Sequence, residues 1–143
     1  MATVVDQSSE VPAVEFLGFL HEGVPCSRAK LDECIKFYTE VLGLRLMPRP
    51  KALDALVPGA WLSDAGNNVH FHLIADDNEY APGPDAKITA TGRHTAWVVK
   101  DVKAVIARMR TLGVPHRVSS VSSSQVLVND PAGHTWEFQE PMR

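Results

Sequence analysis

The chain predicts an α+β domain made of two copies of one unit, each a strand, a helix and about three further strands. Three observations carry that expectation. The pattern of the first half returns in the second: each half opens a strand with a histidine, His21 or His94, and closes a strand on a metal-competent side chain, His72 or Glu137. Both expected helices end in Leu-Gly, at Leu42-Gly43 and Leu112-Gly113, as helices that stop on a left-handed glycine do. The length of 143 residues, with 45% apolar and 22% charged side chains, suits one ordinary globular domain or two small modules sharing a core. An internal repeat accounts for both halves at once.

In chain order, residues 1–14 are small and polar and are expected to form a flexible N-terminus. Phe16 to Cys26 reads as an apolar strand with His21 inside it. Leu31 to Val41 reads as a helix, with Leu31, Cys34, Ile35, Tyr38 and Leu42 near one stripe. Leu44 to Met47 is a short strand closed by Pro48 and Pro50. Pro58-Gly59 signals a turn, Ala60-Trp61-Leu62 a strand, and Asp64 to Asn68 a tight turn. Val69 to Ala75 alternates apolar residues with histidines, the period of a strand. Residues 76–92 carry prolines and glycines without period and read as a linker or a loop over the site. His94 to Val99 then reads as a strand. Val102 to Leu112 reads as a helix with Val102, Val105, Ile106, Met109 and Leu112 on one face. Val114 to Val121 is irregular or a strand, Ser122 to Ser124 a turn, and Gln125 to Asn129 a strand. After the Asp130-Pro-Ala-Gly turn, Thr135 to Gln139 forms a final strand. The division that follows is module one at 15–76, a linker at 77–92 and module two at 93–141.

Composition excludes several classes. The net charge is −3 with scattered Lys and Arg, so no basic face tracks phosphates and nucleic acid is not an expected partner. Met1 to Glu15 lacks the basic start and apolar run of a signal peptide. No apolar run approaches the roughly 20 residues that span a bilayer, and no membrane partner is expected. The two cysteines, Cys26 and Cys34, make neither a disulfide framework nor a paired-thiol zinc motif. They are expected to be buried thiols in a cytoplasmic protein.

Imidazoles at His21, His72 and His94 and the carboxylate of Glu137 make a plausible single metal site. A lone histidine in a strand is more often a satisfied core residue than a ligand, but here the repeat, the spacing and the flanking turn agree. His70 and His72 lie two apart and share a face of their strand; His70 reads as an outer-shell or proton-relay residue. His116 and His134 read as solvated, with His134 also able to face the pocket, and core packing is the reading for at least two of Trp61, Trp97 and Trp136. The basic stretch Arg45 to Lys51 reads as a solvated loop. Three nitrogens and one oxygen suit one divalent Zn, Ni, Co, Fe or Mn and do not suit Ca.

These stretches resemble the vicinal oxygen chelate superfamily, which includes glyoxalase I, methylmalonyl-CoA epimerase, extradiol dioxygenases and the fosfomycin and bleomycin resistance proteins. The matching pieces are His21-x-Gly-Val-Pro-Cys, Phe37-Tyr-x-x-Val-Leu-Gly-Leu, Pro58-Gly-Ala-Trp-Leu, His72-Leu-Ile, His94-x-Ala-Trp-x-Val-x-Asp-Val and Asp130-Pro-x-Gly-His-x-x-Glu137. The loop at Ser27 to Lys30 is about two residues longer than the family's usual one. The resemblance implies two βαβββ modules, curved mixed sheets around a metal, and His21, His72, His94 and Glu137 as its ligands. It further implies a homodimer, a small-molecule substrate bound through two neighbouring oxygens, and glyoxalase- or epimerase-type proton transfer through an enediolate held at the metal. Glu137 or His70 would be the base. If His72 turned away, His21, His94 and Glu137 would instead form the triad of an iron dioxygenase. A binding protein that sequesters a drug without metal is the alternative of another class.

Overall fold

The computed structural model describes residues 11–78, 80–120 and 122–141. Its strands are β1 (Glu22–Cys26), β2 (Arg45–Met47), β3 (Gly59–Ser63), β4 (His70–Ala75), β5 (His94–Val98), β6 (His116–Val118), β7 (Gln125–Asn129) and β8 (Thr135–Gln139). Helix α1 (Leu31–Lys36) follows a 3-10 turn over Arg28–Lys30, and the other helices are α2 (Lys51–Leu56) and α3 (Val102–Thr111). The strands form two four-stranded sheets with the same order, β1-β4-β3-β2 and β5-β8-β7-β6. In each sheet the first strand pairs parallel with the last and the rest pair antiparallel. The fold is therefore α+β with two βαβββ modules, as the repeat implied.

Several boundaries differ from expectation, each for a physical reason. The first strand starts at Glu22, not Phe16, and His21 lies just ahead of it rather than inside it. Its parallel partner β4 begins at His70, and the ladder opens with Glu22 opposite Phe71, so residues 16–20 have no neighbour to pair with. Residues 48–58 are not a plain loop. α2 occupies Lys51–Leu56, started by Pro50 at its N-cap, and Arg49 ties it down through Asp54 and the Val57 carbonyl. The basic stretch is thus split between β2 and α2. The first long helix has the expected limits but widens into a π turn over Phe37–Val41. Phe37 and Tyr38, three and four residues after buried Cys34, both face inward, and Leu42 is only partly buried. The strand expected to reach Val121 ends at Val118, and Val121 itself lies outside the described residues, as do residues 1–10 of the expected flexible N-terminus.

The core lies between the helix-bearing faces of the two sheets. From module one it takes Val24, Cys26, Cys34, Phe37, Tyr38, Leu62, Phe71 and Leu73, and from module two Val102, Met109, Val126, Val128, Trp136 and Phe138. Cys26 and Cys34 are both buried and free, as expected; their thiols hydrogen-bond, which with burial holds the Cys34 thiol above its usual range.

One polar cluster joins the modules inside this apolar layer. Tyr38 Oη donates to Asp130 Oδ2 at 2.5 Å and accepts from Trp136 Nε1 at 2.9 Å. The other carboxylate oxygen accepts the amides of Ala132 and His134, both at 2.9 Å, which closes the turn before β8. Burial raises the Asp130 carboxyl above its ordinary range, opposed by nearby His134 and these hydrogen bonds. Burial, with the adjacent Asp130, also pushes the Tyr38 phenol up. The linker is fastened to module two: Gly83 N donates to Ala132 O, and Asn129 Nδ2 to Ala86 O. Gly133 (φ +93°) is required there, because a Cβ would collide with the Gly83 carbonyl.

Tyr38→Phe keeps the ring but leaves a buried carboxylate oxygen and an indole N–H without their partner. The expected cost is about 1–3 kcal/mol of unfolding free energy, read from equilibrium urea denaturation with an unchanged m-value. A loss within experimental error would show that the cluster does not hold the modules together.

Candidate metal centre

The pleat sorts each strand's residues between two faces. In β4, Phe71 and Leu73 enter the core, so His70, His72 and Ile74 lie on the other face. In β5, Trp97 packs on Phe71 at 5.3 Å, leaving His94, Ala96 and Val98 on the outer face. In β8, Trp136 and Phe138 enter the core, and Thr135 and Glu137 lie opposite. His72, His94 and Glu137 therefore sit on the outer faces of the sheets, and His21 lies just ahead of β1.

They come together as two pairs. His21 and His72 stack with ring centroids 3.9 Å apart and planes 18° from parallel. His94 Nε2 lies 3.1 Å from Glu137 Oε2. The two pairs are equivalent in register. In module one the residue two after His21 is Gly23, and its strand partner is His72. In module two the residue two after His94 is Ala96, and its strand partner is Glu137. His21 and His94 also line one open cleft of about 660 Å³ where β1 and β5 approach, together with Tyr80, Arg93 and His134. The walls of this cleft are tied by Thr95 Oγ1, within 2.6–2.7 Å of both Glu22 carboxylate oxygens, and by His134 Nε2 with the Pro25 carbonyl at 2.7 Å.

The four groups fit a borderline divalent ion in kind, three imidazoles and a carboxylate. Among the described residues, however, no three His, Cys, Asp or Glu converge. Stacked imidazoles hold their in-plane lone pairs side by side, so one ring must turn before both reach a common ion at about 2.0–2.1 Å. His94 is better prepared: its Nδ1 is 2.9 Å from the Gly92 carbonyl, a contact that, with Nδ1 carrying the proton, leaves Nε2 as the free donor atom. Glu137 is buried, 6% exposed, while His21 is open to solvent. His70 begins β4 opposite Ser63, on the face of His72.

Two further side chains stand near the site. His134 is not simply solvated, since it bridges to Pro25 and lines the cleft. Trp61 is not core packing; its indole stacks on His72 at 4.4 Å, with planes 7° apart. The register was the missed signal. With strands on either side of the Asp64–Asn68 turn, Trp61 falls opposite His72. Trp97 and Trp136 do pack in or against the core, and His116 is half-buried with Nδ1 on the Val114 carbonyl.

Comparison with known proteins agrees with this architecture. The profile of the Glyoxalase/Bleomycin resistance protein/Dioxygenase superfamily matches residues 27–138. The chain belongs to that superfamily. "Glyoxylase I 4" of Arabidopsis thaliana is 27% identical over 123 residues, covering 82% of this chain and 67% of the relative. A glyoxalase family protein from Bacillus anthracis superposes with a TM-score of 0.74 at 21% identity, covering 92% of this chain and all of the other. A mutant of the fosfomycin resistance protein FosX of Listeria monocytogenes, complexed with Mn(II) and 1S,2S-dihydroxypropylphosphonic acid, superposes at 0.64 with 16% identity, covering 90% and 95%. At such identities the two structures share the fold alone. Divalent metal thus occurs on this fold. No helix among the described residues is long and apolar enough to cross a membrane.

Burial lowers the pKa of His72 from 6.5, aided by the charges of His21, His70 and Arg49. A histidine depressed in the folded state takes its proton first when unfolded. Its effect on stability is therefore nil well above pH 6.5 and becomes a penalty as pH falls below it. In chelator-treated protein, NMR titration should find the His72 midpoint below the ordinary imidazole value, and His72→Phe should flatten the acid limb of the stability curve. A His72 midpoint at or above the ordinary value would contradict this.

Proposed function

We propose that this chain is a divalent-metal-dependent enzyme that moves a proton on a small substrate carrying two neighbouring oxygens, a glyoxalase- or epimerase-type reaction. The register equivalence of the His21–His72 and His94–Glu137 pairs carries the reading, because two modules present matched halves of one donor set. Those four side chains would hold the ion, which when bound supplies Lewis acidity toward the two substrate oxygens. Held by those four side chains, such an ion would be able to take two oxygens of a bidentate substrate as further ligands. His72 in register beside His21 supports proton transfer over dioxygenation, where a two-histidine, one-carboxylate triad leaves three positions open.

The chain's own groups then do the following. Glu137, buried and paired only with His94 among the described contacts, takes the proton from the carbon next to the substrate carbonyl at a carboxylate oxygen and returns it to the neighbouring carbon or the opposite face. The step is redox-neutral. His70, on the same face as His72, is the second candidate to relay that proton. The small-molecule substrate enters the cleft beside Arg93 and Tyr80.

The complete site belongs to a homodimer. The pairs lie on sheet faces turned away from the shared core, and apolar groups on those faces or leading into them are open: Val98 is 72% exposed, Phe16 85% and Leu17 95%. A second copy would cover them and oppose the pair of one module with the pair of the other. The protein acts in the cytoplasm, in keeping with its free buried thiols.

Elemental analysis of protein purified without chelator is expected to find close to one Ni, Co, Zn or Mn per chain. Glu137→Ala should lose that metal and lower by about 10²–10⁴-fold the isomerisation of hemithioacetals formed from α-oxoaldehydes and a thiol. Full metal occupancy in Glu137→Ala would remove this residue from the site, and one Fe per chain with oxygen uptake would favour dioxygenation. Mixing unfolded His72→Ala and Glu137→Ala chains and refolding them together tests the shared site. If sites form between subunits, about a quarter of wild-type metal returns, because half the dimers are mixed and each carries one intact site. No recovery would place each site within one chain.

A further inference from the structure

His94 and His72 are held in different ways. The Nδ1 of His94 has a carbonyl partner, Gly92 O at 2.9 Å, the usual way of fixing a ligating imidazole. Among the described residues no hydrogen bond reaches a ring nitrogen of His72. Its ring is instead layered between two aromatic planes, Trp61 at 4.4 Å and 7° on one side and His21 at 3.9 Å and 18° on the other. These two neighbours are not equivalent. Trp61 is the direct cross-strand partner of His72 in the β3–β4 ladder, with Met47 of β2 on its other side, so the backbone register fixes it. His21 lies before β1 begins, is exposed, and must turn if both imidazoles are to serve one ion.

The indole does not contribute to the core. Trp61 is half-buried, absent from the apolar cluster that holds Trp136 and, at its margin, Trp97, and on the outer face with His72. A flat face parallel to an imidazole confines the ring's rotation about χ2 and so confines the plane in which both nitrogen lone pairs lie. We propose that Trp61 is a positioning residue that sets the ring plane of His72 for metal binding, replacing the hydrogen bond that His94 has. The inference rests on His72 being a ligand, as the proposed function has it.

The test is metal affinity of the apo protein, measured by competition between a chromophoric chelator and Zn(II) or Co(II). Trp61→Leu should weaken binding by about 10–100-fold, the usual cost of losing an orienting partner, and Trp61→Phe should restore most of it by restoring a flat face. In a His72→Ala background, Trp61→Leu should cost nothing further, since the two act as one unit. Unchanged affinity in Trp61→Leu, or an equal loss with and without His72, overturns the proposal. If wild-type protein binds no metal, the proposed function itself fails, a different result. Should Trp61→Leu not fold, the wild type still decides. The carbon-bound ring protons of His72 must show the indole's upfield ring-current shift, and ordinary positions for them refute the stack.

Discussion

The Tyr38–Asp130–Trp136 cluster is the interaction on which the rest of the structure depends. It places a phenol from the end of the first long helix against a carboxylate and an indole from the last hairpin, roughly 90 residues later. A buried carboxylate is tolerable only if its hydrogen bonds are satisfied, and Asp130 is held by the Tyr38 hydroxyl, the amides of Ala132 and His134, and the nearby His134 ring. Satisfying it closes the β7–β8 turn and presses module two's core face against module one. The same closure decides which face of β8 is inside, and therefore sends Glu137 outward.

Two modules packed by their helix-bearing faces have a geometric consequence. Strand alternation assigns Phe71, Leu73, Trp97, Trp136 and Phe138 to the shared core, so His72, His94 and Glu137 must occupy the opposite faces. β1 and β5 are tied to each other through Glu22 and Thr95, and His21 and His94 line one cleft beside that tie. The donor set appears as two complementary halves. Apolar side chains at Phe16, Leu17 and Val98 remain open to solvent.

Within each half the supports differ. In module two, His94 Nδ1 lies on the Gly92 carbonyl and its Nε2 faces the Glu137 carboxylate. Module one relies on layered rings, Trp61 on His72 on His21. The two modules thus share backbone and register but hold these side chains by different local means.

The sequence by itself determined the repeat, most strand and helix limits and the pairing of the site residues in kind, because those rest on local signals: alternation at Val69 to Ala75, helix-stop glycines at Gly43 and Gly113, and turn residues at Asp64 and Asp130. Strands β7 and β8 were legible to the residue, since Asp130-Pro-Ala-Gly punctuates them on one side and apolar alternation on the other. Only the tertiary structure decided what depends on neighbours far along the chain. The first strand stops short of Phe16 because β4 offers no partner there. The first long helix widens into a π turn over Phe37–Val41, where Tyr38 meets Asp130 from the other module. Residues 51–56 become helical because Arg49 anchors them to Asp54 and Val57. Trp61 leaves the core for His72 because hairpin register, a cross-strand property, sets them face to face. That the four expected ligands stand as two pairs, with His72, His94 and Glu137 on outer faces, also follows from packing between modules, which no local pattern in the chain encodes.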